Sequence, residues 1–154
     1  MKSSGPIAYR KLKSGGYELV KDAYFYTGIL GRSHVVLDVH GRVILRLELD
    51  GCLWIRAGYQ WDGASFIVID RPANMRAGLF HDGLYQLLRT GQLPQSYRKR
   101  SDEIYPELYR HDGGWGWIGA LDYAGLRVGA GYAAKRKPEV EAKTLYAGRP
   151  DKAA

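Results

Sequence analysis

The spacing of apolar residues divides the chain into two halves. Up to about residue 56, apolar and polar positions alternate, as in strands with one buried face. The clearest run puts four side chains on one face: Val43, Leu45, Leu47 and Leu49. His40-Gly41 and Asp50-Gly51 supply turns on either side of that run. This half therefore predicts an antiparallel β meander of three to five strands.

The second half has helical spacing and predicts three helices, over 73–90, 97–110 and 115–132. The first helix carries an apolar stripe and ends at Gly91. The stripe comprises Ala77, Phe80, Leu84, Leu87 and Leu88. Strands followed by helices predict an α+β fold, with the meander packed on the helices.

Two residues of the second predicted helix bear on its limits. Ser96 is a suitable N-terminal cap. Pro106 has no N–H to donate to the carbonyl of Asp102, so we expect a kink or break at that point.

The net charge of +7 lies at the ends of the 154-residue chain. Residues 1–16 carry +4, residues 135–154 carry +3, and residues 17–134 are neutral. We expect a basic N-terminal arm, a single α+β domain over 17–134, and an extended C-terminal tail. The basic ends are either solvated or contact acidic neighbours, and the neutral body gives no support for sequence-specific nucleic-acid binding.

Composition excludes several classes of protein. The single Cys52 rules out a disulfide framework and a cysteine-rich zinc module. No stretch is apolar enough to predict a transmembrane segment, and the N-terminus lacks the apolar core of a secretory signal. We therefore expect a protein made in a reducing cytoplasm.

A turn-rich loop, Gly58 to Ser65, joins the strands to the first helix. Within it Asp62 is followed by Gly63 and Ser65. The carboxylate of Asp62 either caps a turn or helps to surround a cation.

The second candidate cluster is His81-Asp82-Gly83-Leu84-Tyr85. His81 lies in the apolar stripe of the first helix, so its ring needs buried hydrogen-bond partners. A carboxylate on one ring nitrogen would leave the other free to accept a proton or bind a metal. The alternative is a histidine that only links the helix to its surroundings.

The third cluster is Arg98 to Asp102. Arg98 and Asp102 are one helical turn apart and could simply pair. Alternatively, Asp102 turns toward His81, which requires the first two helices to pack antiparallel.

Three ordered motifs resemble the Domain of Unknown Function 1353 family of tailed phages and prophages. They are Ala57 to Ser65 with Trp61-Asp62-Gly63, then His81 to Tyr85, then Arg98-x-x-Ser-Asp102, and the likeness covers about residues 50–132. Here Ser65 is followed by Phe66-Ile67 where the family usually has a proline soon after. The resemblance implies a virion-associated structural or assembly protein, in the tail or baseplate, made in the bacterial host cytoplasm. Its partners would be other virion proteins, bound through the basic ends and an aromatic surface.

The spacing His81-Asp82-x-x-Tyr85 also resembles that of the secretory calcium-dependent phospholipases. This likeness implies His81 as general base, Asp82 as a calcium ligand, and Asp102 with Tyr85 as supports of the histidine. The segment Gly58 to Ser65, with Asp62 as a metal ligand, is a rough counterpart of the calcium loop. It departs from those enzymes because their motif lies between disulfides. The alternative function is thus a hydrolase that uses calcium or another divalent cation and acts on lipid or cell-envelope material.

Overall fold

A computed structural model of the chain describes residues 3–62 and 72–129. Seven strands precede three α-helices in this part of the chain, which confirms the α+β class. The strands are β1 (Tyr9–Lys11), β2 (Tyr17–Leu19), β3 (Ala23–Tyr26), β4 (His34–Leu37), β5 (Val43–Leu47), β6 (Cys52–Ile55) and β7 (Gln60–Trp61). The helices are α1 (Pro72–Arg89), α2 (Arg98–His111) and α3 (Gly116–Gly129).

The strands form two antiparallel sheets where the sequence pattern predicted one meander. β4, β5 and β6 are a meander, and β3 adds to it beside β6, giving the order β3-β6-β5-β4. The second sheet has the order β1-β2-β7. The two turns predicted from glycine are present, because Gly41 and Gly51 have φ values of 74° and 83°.

One face of the four-stranded sheet is covered by α1. Leu45, Leu47 and Ile55 are fully buried there, and the rings of Phe25 and Phe80 lie 5.5 Å apart. Leu49 was predicted on the same face but is 65% exposed, because β5 ends at Leu47 and Leu49 belongs to the following turn.

A glycine allows this close approach of helix and sheet. A Cβ atom at Gly83 would lie 3.0 Å from Leu45 Cδ1 and 3.1 Å from Ile55 Cδ1. α1 ends as predicted, since Gly91 has a φ of 72° and its N–H donates to the carbonyl of Leu88.

The start of α2 differs from the prediction. Ser96 is not its cap: it lies inside a short 3₁₀ helix, Gln95–Tyr97, which leads directly into α2. Pro106 does not break the helix, which continues to His111. The proline ring instead lies against α3, where a Cβ at Gly119 would be 3.5 Å from Pro106 Cβ.

The chain ends were predicted as an arm over 1–16 and a tail over 135–154. β1 lies inside the first of these ranges and pairs with β2, so ordered structure begins before residue 17. Tyr9-Arg10-Lys11 is too short and polar to read as a strand from its pattern. The predicted tail lies outside the described residues.

Candidate functional site

α1 and α2 pack antiparallel. Arg76, early in α1, pairs with Asp112 after the end of α2, whereas Tyr85, late in α1, contacts Asp102 near the start of α2. This is the arrangement that a contact between His81 and Asp102 requires.

Asp102 is fully buried and accepts bonds from three other residues. Its Oδ1 accepts the Tyr85 hydroxyl at 2.5 Å and lies 3.3 Å from His81 Nε2. Its Oδ2 accepts a guanidinium N–H of Arg127 at 2.8 Å. A buried carboxylate needs such donors to remain charged. We call Asp102, His81, Tyr85 and Arg127 the Asp102 centre.

The contact with Asp102 determines which nitrogen of His81 carries the proton. An ionised carboxylate can only accept, so Nε2 is the N–H donor and the neutral ring keeps its lone pair on Nδ1. Nδ1 lies 3.6 Å from Asp82 Oδ1, beyond a normal hydrogen bond. The imidazole is only 5% exposed and lies against Tyr85, with ring centroids 4.1 Å apart.

The pKa values of the centre are displaced in opposite directions. Burial disfavours the charged imidazolium, but the carboxylates of Asp102 and Asp82 outweigh it and raise the pKa of His81. Burial also opposes ionisation of Asp102, yet hydrogen bonds from His81, Tyr85 and Arg127 hold the pKa of that carboxyl below its usual range. Burial, followed by the bond to Asp102, raises the pKa of Tyr85. The centre therefore favours an ionised Asp102 and a proton-accepting His81.

Arg98 connects this centre to α3. Its Nη2 donates to the carbonyls of Leu126 and Arg127 at 3.1 and 2.8 Å, where α3 approaches its C-terminus. Its Nε lies 3.8 Å from Asp102 Oδ2. The predicted pairing with Asp102 is thus a long contact, and the main bonds of Arg98 hold the helix that carries Arg127.

The two predicted metal ligands, Asp82 and Asp62, both influence the pKa of Tyr59. Burial raises the pKa of the Tyr59 hydroxyl, and the charges of both aspartates raise it further. Calcium requires six to eight oxygen ligands. Within residues 3–62 and 72–129, no group of three or more His, Cys, Asp or Glu side chains is placed to hold a metal ion. Among the described residues, Asp82 and Asp62 are thus not joined by enough such side chains to form a group of three, and no step below uses a metal.

The loop motif is only partly described. Trp61 is buried, with its ring 5.8 Å from that of Tyr17 and 6.0 Å from that of Tyr9, so its side chain packs on residues of β2 and β1 within the small sheet. Asp62 is exposed and has no hydrogen bond or ion pair with His81. Gly63 and Ser65 lie outside the described residues.

Sequence reasoning missed a second buried charged cluster, at the other end of the α1–α2 pair. Arg76 is 2% exposed and makes a two-point ion pair with Asp112, at 2.9 and 2.8 Å. It also donates to Ser3 Oγ and the Gly5 carbonyl, each at 3.0 Å, and contacts His111 Nδ1 at 3.1 Å. We call these five residues the Arg76 centre.

A cavity of about 370 Å³ adjoins the Arg76 centre. Its lining is mainly apolar and comes largely from the N-terminal segment: Gly5, Pro6, Ile7, Tyr9, Arg76, His111 and Asp112. The sequence did contain a signal for Arg76, because it lies in an apolar helix with no acidic residue one turn away. Arg127 gave a weaker signal, as the last charge of a helix that is otherwise almost apolar.

Fold and site together define a small α+β protein with a histidine, an aspartate and a tyrosine buried between two antiparallel helices. No family model, curated protein or solved structure matches the chain. The two resemblances stated above therefore remain predictions. No helix in the described part of the chain has the length and apolar character needed to span a membrane.

Proposed function

We propose that the protein is a hydrolase of lipid or cell-envelope esters in which His81 is the general base. The observation that supports this most strongly is the double use of Asp102 Oδ1, which receives the Tyr85 hydroxyl and faces His81 Nε2. That contact fixes the ring and directs its basic nitrogen, Nδ1, toward the Asp82 side. The side chain of Asp82 is 23% exposed, so the proposal has water approach the ring from this direction.

The reaction follows from these positions. A water molecule transfers a proton to His81 Nδ1 as its oxygen adds to the ester carbonyl. Asp102 stabilises the imidazolium through Nε2–H, while Tyr85 and Arg127 hold the carboxylate in place. When the tetrahedral intermediate collapses, the imidazolium returns the proton to the departing alkoxide, giving an acid and an alcohol. Asp102 and Tyr85 are positioning residues in this scheme.

The test is hydrolysis of phospholipid and cell-envelope esters by wild type, by His81→Gln and by the matched control His111→Gln. We expect His81→Gln to lose roughly 100-fold or more of the turnover. His111→Gln should retain it, because that histidine belongs to the other cluster. Melting temperatures of both variants identify any loss caused by unfolding.

Two results would contradict the proposal. One is equal turnover by wild type and His81→Gln. The other is no turnover by wild type together with a folding defect in His81→Gln, which would make His81 a structural link between α1 and α2. Parallel assays with calcium and with a chelator test the divalent cation implied by the phospholipase resemblance.

We also propose a location in the virion of a tailed phage, in the tail or baseplate. Its support is the three-motif resemblance over residues 50–132 and the concentration of charge at both chain ends. A hydrolase could occupy such a location. Mass spectrometry of purified particles tests it: a stoichiometric copy number is expected, and absence from the particles would overturn it.

A further inference from the structure

The exposed face of α3 is apolar from the start of the helix to Ala124. Two tryptophans at its start and a leucine one turn later are the most exposed large side chains of this region: Trp115 at 65%, Trp117 at 61% and Leu121 at 63%. Gly116, Ala120 and Ala124 complete the face and are also exposed. We call these six residues the α3 face.

Of the two charged side chains of α3, Arg127 bonds Asp102 but is 37% exposed, and it follows Ala120 by seven residues, on the same side of the helix. Asp122 is partly buried, with its pKa raised by burial. The side of the helix that carries Gly119 packs on Pro106 and Tyr109 of α2. The exposed tryptophans are therefore not part of any core within the described residues.

The area of the α3 face is small for a protein interface. Three such side chains expose on the order of 400 Å² together. A stable homodimer buries about 800 Å² on each partner. A second copy is thus a poor occupant for this face.

A lipid surface fits the face better. Indole rings favour the boundary between headgroups and acyl chains, and a helix lying in that boundary needs only a shallow apolar face. One basic residue borders it: Arg110 is exposed, and its Cδ would lie 3.8 Å from a Cβ at Gly116. Three more basic residues, Lys135, Arg136 and Lys137, come soon after α3 in the sequence. An apolar face combined with cationic residues matches an anionic bilayer, because one signal alone anchors weakly.

We propose that the α3 face docks the protein on the surface of an anionic lipid bilayer, with Trp115, Trp117 and Leu121 entering the headgroup region. The last residue of the face, Ala124, lies about 5 Å along α3 from Arg127, so docking would bring the Asp102 centre close to the lipid. The docking itself does not depend on hydrolysis. It would hold for a protein with no enzymatic activity.

The experiment measures co-sedimentation of the full chain with vesicles. One set is phosphatidylcholine alone, and the other is equal parts phosphatidylcholine and phosphatidylglycerol. The variants are Trp117→Asp and Leu121→Asp, with Leu49→Asp as matched control. Leu49 is 65% exposed, as Leu121 nearly is, but lies on the sheet side between Glu48 and Asp50.

We expect wild type to bind the anionic vesicles more tightly than the neutral ones, and added salt to weaken that preference. Trp117→Asp and Leu121→Asp should each weaken binding roughly tenfold or more, while Leu49→Asp stays within about twofold of wild type. Unchanged melting temperatures show that the variants are folded. Brominated lipid should quench tryptophan fluorescence of wild type.

Three outcomes would overturn the proposal. Wild type could fail to bind either vesicle, or Leu49→Asp could weaken binding as much as Leu121→Asp. Alternatively, Trp117→Asp could abolish self-association in sedimentation or binding to purified phage particles while vesicle binding is unchanged. That last result would assign the face to a protein partner.

Discussion

The helix pair α1–α2 carries two buried charged clusters, one at each end. They differ in whether any hydrogen-bonding group remains unused. In the Arg76 centre, the five N–H groups of the guanidinium meet five partner atoms on Asp112, Ser3, Gly5 and His111. An arginine has five donors and no acceptor, so this group has no remaining capacity. The Arg76 centre ties three segments of the chain together.

The Asp102 centre differs in its balance of hydrogen-bond donors and acceptors. Its carboxylate accepts three bonds, and one of the donors, His81, retains a basic nitrogen, with the pKa of the ring raised. A cluster in which every group is satisfied stabilises the fold. One in which a titratable group keeps an unused lone pair can also transfer protons. Burial alone does not separate the two clusters, whereas the count of donors and acceptors does.

The largest expected effect is loss of the Arg76 centre. Arg76→Met leaves Asp112 without its partner and releases Ser3 and Gly5, so we expect a destabilisation of about 3 kcal/mol in urea unfolding. Arg42→Met is the control, because the pair of Arg42 with Asp38 is largely exposed on the Arg42 side and is worth at most about 1 kcal/mol. Equal losses in the two variants would show that Arg76 is not a structural anchor.

Tyr85→Phe removes one hydrogen bond to a buried charge in the Asp102 centre. We expect a destabilisation of about 2 kcal/mol and a lower kcat in hydrolysis, because Asp102 then holds His81 less firmly. Tyr24→Phe, at a partly exposed position on β3, is the control and should change neither quantity. A Tyr85→Phe variant with wild-type stability and kcat would show that Tyr85 does not position Asp102 and His81.

The pH dependence of stability should differ between wild type and His81→Gln. The folded pKa of His81 is raised, so its contribution is fully present below the unfolded value of about 6.5 and is lost as pH rises through the folded pKa. On the acid side, the contribution of Asp102 disappears as pH falls through its lowered folded pKa. The advantage of wild type over His81→Gln should therefore be largest between these two limits. Urea unfolding across pH measures it, and a constant difference would argue against the coupling.

The smallest effect should come from the histidine of the other cluster. His111 has a side chain 47% exposed and supplies one of five contacts to Arg76. His111→Asn should cost less than about 1 kcal/mol, with no change in the pH profile attributed to His81. A loss of stability as large as that of Arg76→Met would mean that the ion pair of Arg76 with Asp112 depends on His111.

Much of the fold followed from local patterning. Phe80 and Leu84 could be assigned to a buried stripe because helical spacing persists over 18 residues in α1. The contact of His81 with Asp102 could also be predicted from the sequence, because a short connection between two helices permits antiparallel packing. Both inferences depend on regularities that repeat along the chain.

The rest depends on contacts between distant positions. Arg76 meets Ser3 across 73 residues, and no spacing rule links them. β1 pairs with β2 and faces Trp61, but its own residues are too few and too polar to predict a strand. Ser96 fits a cap by type, yet the 3₁₀ turn before α2 places it elsewhere.

The Arg76 centre also sets an order of events during translation. Ser3 and Gly5 leave the ribosome early, but Asp112 is synthesised more than a hundred residues later. At about 5–20 residues per second, roughly 5–20 s pass between synthesis of Gly5 and synthesis of Asp112, the residue that pairs with Arg76. Residues 3–5 are thus made well before the ion pair that holds them is complete.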